Sequence, residues 1–155
     1  MAQPLRLVSR SLEETIVKQA LLVGGLMMAL ANVAVAQGSE IHSCYGPSGS
    51  HFALEADTQT FNYQATISGA TVAYVATLEV YHNGILKSTT AQVVVLPPPS
   101  YEFNAPVNMS SWGICPGDAV TFRLKVVRLG LFGGLLATHS LTGDVVPPGQ
   151  GSKTE

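Results

Sequence analysis

Charge is scarce in this chain. Asp, Glu, Lys and Arg make up 12% of its 155 residues. Beyond residue 36, the cations Lys87, Arg123, Lys125, Arg128 and Lys153 are outnumbered by Glu40, Glu55, Asp57, Glu79, Glu102, Asp118, Asp144 and Glu155. That mildly acidic balance excludes nucleic acid as a partner and excludes electrostatic adhesion to an anionic surface. Helical periodicity is missing from the same region, so no long amphipathic helix is expected there.

Catalytic patterns are missing too. The stretch GPSGS at 46–50 lacks the second glycine of a nucleophile elbow and has no strand-to-helix setting, so it reads as a turn-rich loop. Acidic residues fall singly on alternate strand positions, which provides no carboxylate pair for acid and base work. His42, Cys44, His51 and Cys115 are the only group from which a zinc site or an enzyme could be assembled, and their spacing matches no zinc signature. No enzyme, metal or cofactor is therefore expected, and a small metal protein or enzyme built on those four residues is kept only as an alternative.

What is present begins with an address. Arg6, Arg10 and Lys18 precede an uncharged run, Ala20 to Ala36, which closes on Ala34-Val35-Ala36. A basic start, an apolar centre and a small-x-small site are the parts of a secretory signal peptide, so residues 1–36 are expected to be removed and the domain to begin at Gln37. The run also reaches the lower limit of a membrane span, and an uncleaved anchor is the alternative. Export places Cys44 and Cys115 in an oxidising compartment, where an even pair predicts a disulfide closing a loop of about 70 residues.

Period-two alternation then recurs. Phe52, Leu54 and Ala56 lead into Phe61, Tyr63, Ala65 and Ile67; Tyr101, Phe103, Ala105, Val107 and Met109 follow later, then Val120, Phe122, Leu124 and Val126. Each series alternates with polar neighbours and predicts a half-buried strand. Asn83-Gly84 and Gly133-Gly134 supply two-residue turns. A turn at the first places Val80 opposite Lys87, Leu78 opposite Thr89, Ala76 opposite Ala91 and Tyr74 opposite Val93. A turn at the second places Val126 opposite Leu141 and Arg128 opposite His139, seating two potential cations toward the core.

Seven strands result, at 51–57, 61–68, 71–82, 85–96, 101–109, 119–132 and 135–146. Short strands at this spacing without helices predict an all-β, antiparallel two-sheet sandwich over residues 37–146, followed by a flexible tail, 147–155. The stretches LEVYHNGILKSTT and PGDAVTFRLKVVR resemble the middle and late strands of bacterial immunoglobulin-like or fibronectin III-like modules. The resemblance implies an immunoglobulin-like domain that acts by binding or assembly, and the signal segment implies a secreted, periplasmic or cell-surface setting.

The odd surface is LGLFGGLL, residues 129–136, without a charged or polar side chain. Leu129, Leu131, Phe132 and Leu135 are the candidate contact residues, for a protein or cell-surface partner or for self-association. The competing expectation is that this tip folds over the sandwich and closes its core. Tyr81 and Leu86 on the first hairpin form a second candidate patch, and Arg128 with His139 a candidate seat for an acidic group. A rival built on the same sandwich is a structural or chaperone-like subunit that accepts another chain along an edge strand at 101–109.

Overall fold

Alternating apolar residues with β-branched and aromatic side chains build strands whose one face is dry, and two such faces close on each other. A computed structural model describes residues 38–151 as such a β-sandwich, with no helix among them. They belong to the unit Gln37–Glu155, the second of two into which the chain divides; the signal segment expected at 1–36 lies outside the described residues. Eight strands follow in order: β1 (Glu40–Ser43), β2 (His51–Glu55), β3 (Thr60–Ser68), β4 (Tyr74–His82), β5 (Ile85–Val94), β6 (Ser100–Asn108), β7 (Ala119–Arg128) and β8 (Leu135–Val146). One sheet has three strands in the order β1-β3-β6, the other five in the order β2-β8-β7-β4-β5.

Two features differ from the expected seven antiparallel strands. The additional strand is β1, and β2 runs parallel to β8, His51 beside Thr142 and Glu55 beside Val146. Both follow from the turn at residues 44–50, where Gly46 and Gly49 have positive φ and carry the chain from one sheet to the other. The first edge is thereby split between the sheets. Gly143 of β8 fits this crossing, because a Cβ there would meet Phe52 Cζ at 3.1 Å and Leu54 Cβ at 3.2 Å.

The core lies between the sheets. Tyr63, Ala65 and Ile67 of β3 and Phe103, Ala105 and Val107 of β6 face Ala76, Leu78 and Val80 of β4 and Val120, Phe122, Leu124 and Val126 of β7, all buried. At its centre Tyr63 stacks on Phe122 with ring centroids 5.9 Å apart, and Phe61 lies 4.7 Å from the same ring. Truncating Phe122 there would cost about 3–5 kcal/mol.

The first hairpin turns where expected, with Asn83 at φ 48° and Gly84 at φ 79°. Its register departs from expectation two residues on. Tyr81 pairs with Leu86, but Val80 pairs with Ser88, so Lys87 is an extra residue and a bulge. A one-residue slip exchanges the two faces of a strand. Leu78 therefore lies opposite Thr90, and Tyr74 opposite Val94; Thr89, Ala91 and Val93, expected toward the core, are exposed.

The second hairpin is wider than a two-residue turn. Strand β7 stops at Arg128, whose N–H donates to Gly134 O, and residues 129–134 form a loop instead of the continued ladder expected to residue 132. The pairing Val126 with Ala137 sets His139 opposite Leu124. Arg128 and His139 therefore do not face each other: Arg128 is exposed at the strand end and His139 is buried in the core.

Candidate functional site

The chain enters the described domain beside Gly69, where a Cβ would meet Gly38 O at 3.1 Å. Glu40 pairs with Ser68, Ser68 with Ser100, and Tyr74 with both Val94 and Arg128. These pairings gather one end of the sandwich from three links: 69–73 between β3 and β4, 95–99 between β5 and β6, and 129–134 between β7 and β8. None of the three contains a charged residue. The opposite end carries the Asn83-Gly84 turn, the link at 56–59 and the loop at 109–118, which holds Trp112 and Asp118.

At the entry end the apolar side chains point into solvent. Leu131 is 100% exposed and Phe132 95%, with Leu129 and Leu135 also exposed. The expectation that this tip closes over the core is thus not met. The physical reason is visible in the glycines: Gly130 at φ 139° bends the loop away from the ladder, and a Cβ on Gly133 would sit 2.9 Å from Arg128 O. The core is closed here without the tip, by Tyr74 and Ala70, and Tyr101 packs edge-on to Tyr74 at 6.4 Å.

Two exposed apolar residues were not expected from the sequence. Val95 and Leu96 are 64% and 88% exposed on the link to β6. They look like the end of a strand, but the bulge at Lys87 reverses the faces of β5 and Pro97-Pro98-Pro99 ends its pairing. The uncharged run VVLPPP was the available signal.

Tyr81 and Leu86 face each other across the first hairpin, toward the opposite end, so they do not extend the entry-end surface. Tyr81 is also engaged. Its hydroxyl donates to Glu79 Oε2 at 2.6 Å, and the Arg123 guanidinium lies 4.8 Å from its ring centroid. Arg123 donates to Glu79 Oε2 at 2.6 Å, and Lys125 pairs with the other oxygen, Oε1. Burial pushes the Glu79 carboxyl up, but hydrogen bonds from Lys125, Tyr81 and Arg123 outweigh it and hold the group at about 2. This cluster laces β4 to β7 on the outer face of the five-stranded sheet.

A second polar cluster fixes the far end. Asp118 Oδ1 accepts from Asn83 Nδ2 at 2.8 Å, while Oδ2 accepts from the Cys115 N–H at 2.8 Å and lies 2.8 Å from His82 Nε2. These bonds, from Asn83 first, then Cys115 and His82, lower the Asp118 carboxyl to about 2. Asn83 Oδ1 also accepts the Ala119 N–H, tying the hairpin turn to the start of β7.

The expected disulfide is not formed. Cys44 and Cys115 are free and exposed, the first with its thiol toward Gln64 O and the second toward Gly113 O. Cys44 lies beside the middle of β3, whereas the Cys115 loop leaves from Met109, bonded to Gln59 below the start of that strand. The four candidate metal ligands are dispersed as well: His42 pairs with Glu40 and His51 with Asp144, at 3.3 and 3.0 Å. Among the described residues no three His, Cys, Asp or Glu side chains are grouped to hold a metal ion.

His139 occupies the core as a neutral group. It is 2% exposed, its Nε2 lies 3.1 Å from Gly46 O, and its Nδ1 lies 3.4 Å from the Tyr63 hydroxyl. The carbonyl fixes the proton on Nε2, so Nδ1 accepts from Tyr63. Burial lowers its basicity, partly offset by the bond to Gly46. It is thereby unavailable to an acidic ligand.

Compared with protein-family models, curated proteins and solved structures, the chain matches none. No helix among the described residues is long and apolar enough to cross a membrane.

Proposed function

We propose that the chain is an exported immunoglobulin-like module that works by binding, and that its contact surface is the uncharged entry end. The observation that carries this reading is the complete exposure of Leu131 and Phe132 on a loop that closes nothing. Side chains of that size hold water-ordered surface at a cost, and an exposed apolar cluster free of charge is the usual mark of a contact site. The immunoglobulin-like assignment is supported by a first edge split between two sheets, its second part parallel to the last strand. Export is supported by the segment preceding Gln37.

The strand-addition reading is less well supported. Strand β6 is an edge of the three-stranded sheet, but Asn104 O on it already accepts from Gln92 Nε2 at 2.8 Å, and Pro106 contributes no donor. A test compares Leu131→Ser with Phe132→Ser against Leu86→Ser at the far end, reading sedimentation and retention by the envelope of the exporting cell. The proposal requires loss of retention or association with the first pair only. Equal behaviour of all three variants would overturn it.

A further inference from the structure

We infer that the partner of the entry end is the lipid bilayer itself, into whose interfacial layer the tips at Leu131, Phe132 and Leu96 insert. The inference rests on the reading of this end as a contact surface and names what it contacts.

Two observations converge on lipid. The chain enters the domain at this end, Gly38 lying against Gly69, and the residues just before it, Ala20 to Ala36, are an uncharged apolar run. A segment of that kind meets a bilayer during export, whether it is then cut or kept. That run precedes the domain at the end whose apolar tips are exposed.

The chemistry of the surface fits the same partner. Leu96 projects from one link and Leu131 with Phe132 from another, and no charge occurs in 69–73, 95–99 or 129–136. A bilayer needs only apolar tips and a rim that tolerates headgroups. That rim is present as Glu40 and Arg128, both exposed at strand ends bordering the links.

Physics also limits the depth. Unpaired loop backbone does not enter hydrocarbon, because its N–H and C=O groups find no partners there. Leucine and phenylalanine side chains thus reach the upper acyl chains while the backbone of 129–134 stays among headgroups. The mildly acidic domain draws no help from anionic lipid, so the contact is apolar and indifferent to salt.

Trp112 makes the test internal, because it is the only tryptophan of the chain and sits at the far end. The full chain and its Phe132→Trp variant are reconstituted in phosphatidylcholine vesicles with bromine on the upper acyl carbons. The inference predicts that native emission is unaffected, whereas emission added by the substitution is blue-shifted and quenched, equally at low and high salt. Added emission that is blue-shifted yet unquenched, and that reddens on dilution, would place the tip against another copy; it would overturn the lipid partner while leaving a contact surface. Added emission that stays red and open to aqueous quencher throughout would overturn the lipid partner and self-association alike, leaving the contact surface to stand or fall on the retention test. A variant melting like the parent shows that the exposed substitution has not disturbed the fold.

Discussion

The Tyr63 hydroxyl and the His139 ring meet at 3.4 Å across the two sheets, on the inner faces of β3 and β8. Because Nε2 is committed to Gly46 O, the pair exists only with a neutral imidazole. Burial depresses the His139 basicity below the usual value of about 6.5. Its stabilisation is therefore complete above pH ~6.5 and is lost as pH falls through the folded value. Denaturant melts from pH 8 to 5 should show falling stability, and His139→Leu should flatten that fall. The variant also leaves Gly46 O and the Tyr63 hydroxyl without this partner, costing about 1–3 kcal/mol at pH 8.

A second, more acidic window belongs to Glu79 and Asp118, both held at about 2. Their contributions are present above the ordinary carboxylate range and disappear as pH drops through 4 toward 2. Glu79→Gln should remove part of this loss and, at neutral pH, cost about 1–2 kcal/mol, since it leaves Arg123 and Lys125 adjacent without their anion. Raising the salt should shrink that cost.

Asn83 has a positive φ of 48° and uses both ends of its amide, on Asp118 and on the Ala119 N–H. Asn83→Ala should destabilise by about 2–3 kcal/mol, combining left-handed backbone cost with lost hydrogen bonds. Asn83→Asp retains the acceptor for Ala119 but sets a carboxylate against Asp118, so it should recover stability only at acid pH.

The cysteines carry no staple. Intact mass without reductant should show both thiols reduced, both should react with a maleimide in the folded protein, and Cys44→Ser with Cys115→Ser should shift stability by no more than about 0.5 kcal/mol each. A mass two hydrogens lower would contradict the structure.

How far the sequence could be read depended on whether one face of a segment was dry. Strands β3, β4, β6 and β7 were legible, because a sheet buried on one side prints its period directly. Strand β1 was not: EIHS has one large apolar side chain and pairs only along the edge of β3. The register of β5 was hidden by the bulge at Lys87, since Thr89 and Thr90 fit either face. At the candidate site, LGLFGGLL announced an apolar tip, but lid and contact surface share a composition. Their difference lies in the loop path set by Gly130 and Gly133, which no hydrophobic pattern records. Val95 was missed because its exposure depends on that same bulge, eight residues back along the strand, and Leu96 because the ladder ends at Pro97-Pro98-Pro99 beside it.

The most direct test of the central claim is the melting of the double variant Leu131→Ala with Phe132→Ala, followed by calorimetry at neutral pH. Side chains that contact nothing in the free domain leave no cavity when truncated, so stability within about 0.5 kcal/mol of the parent is predicted. A loss of about 2–5 kcal/mol per residue, the cost of emptying a packed site, would show that the tip closes the core and would contradict the account.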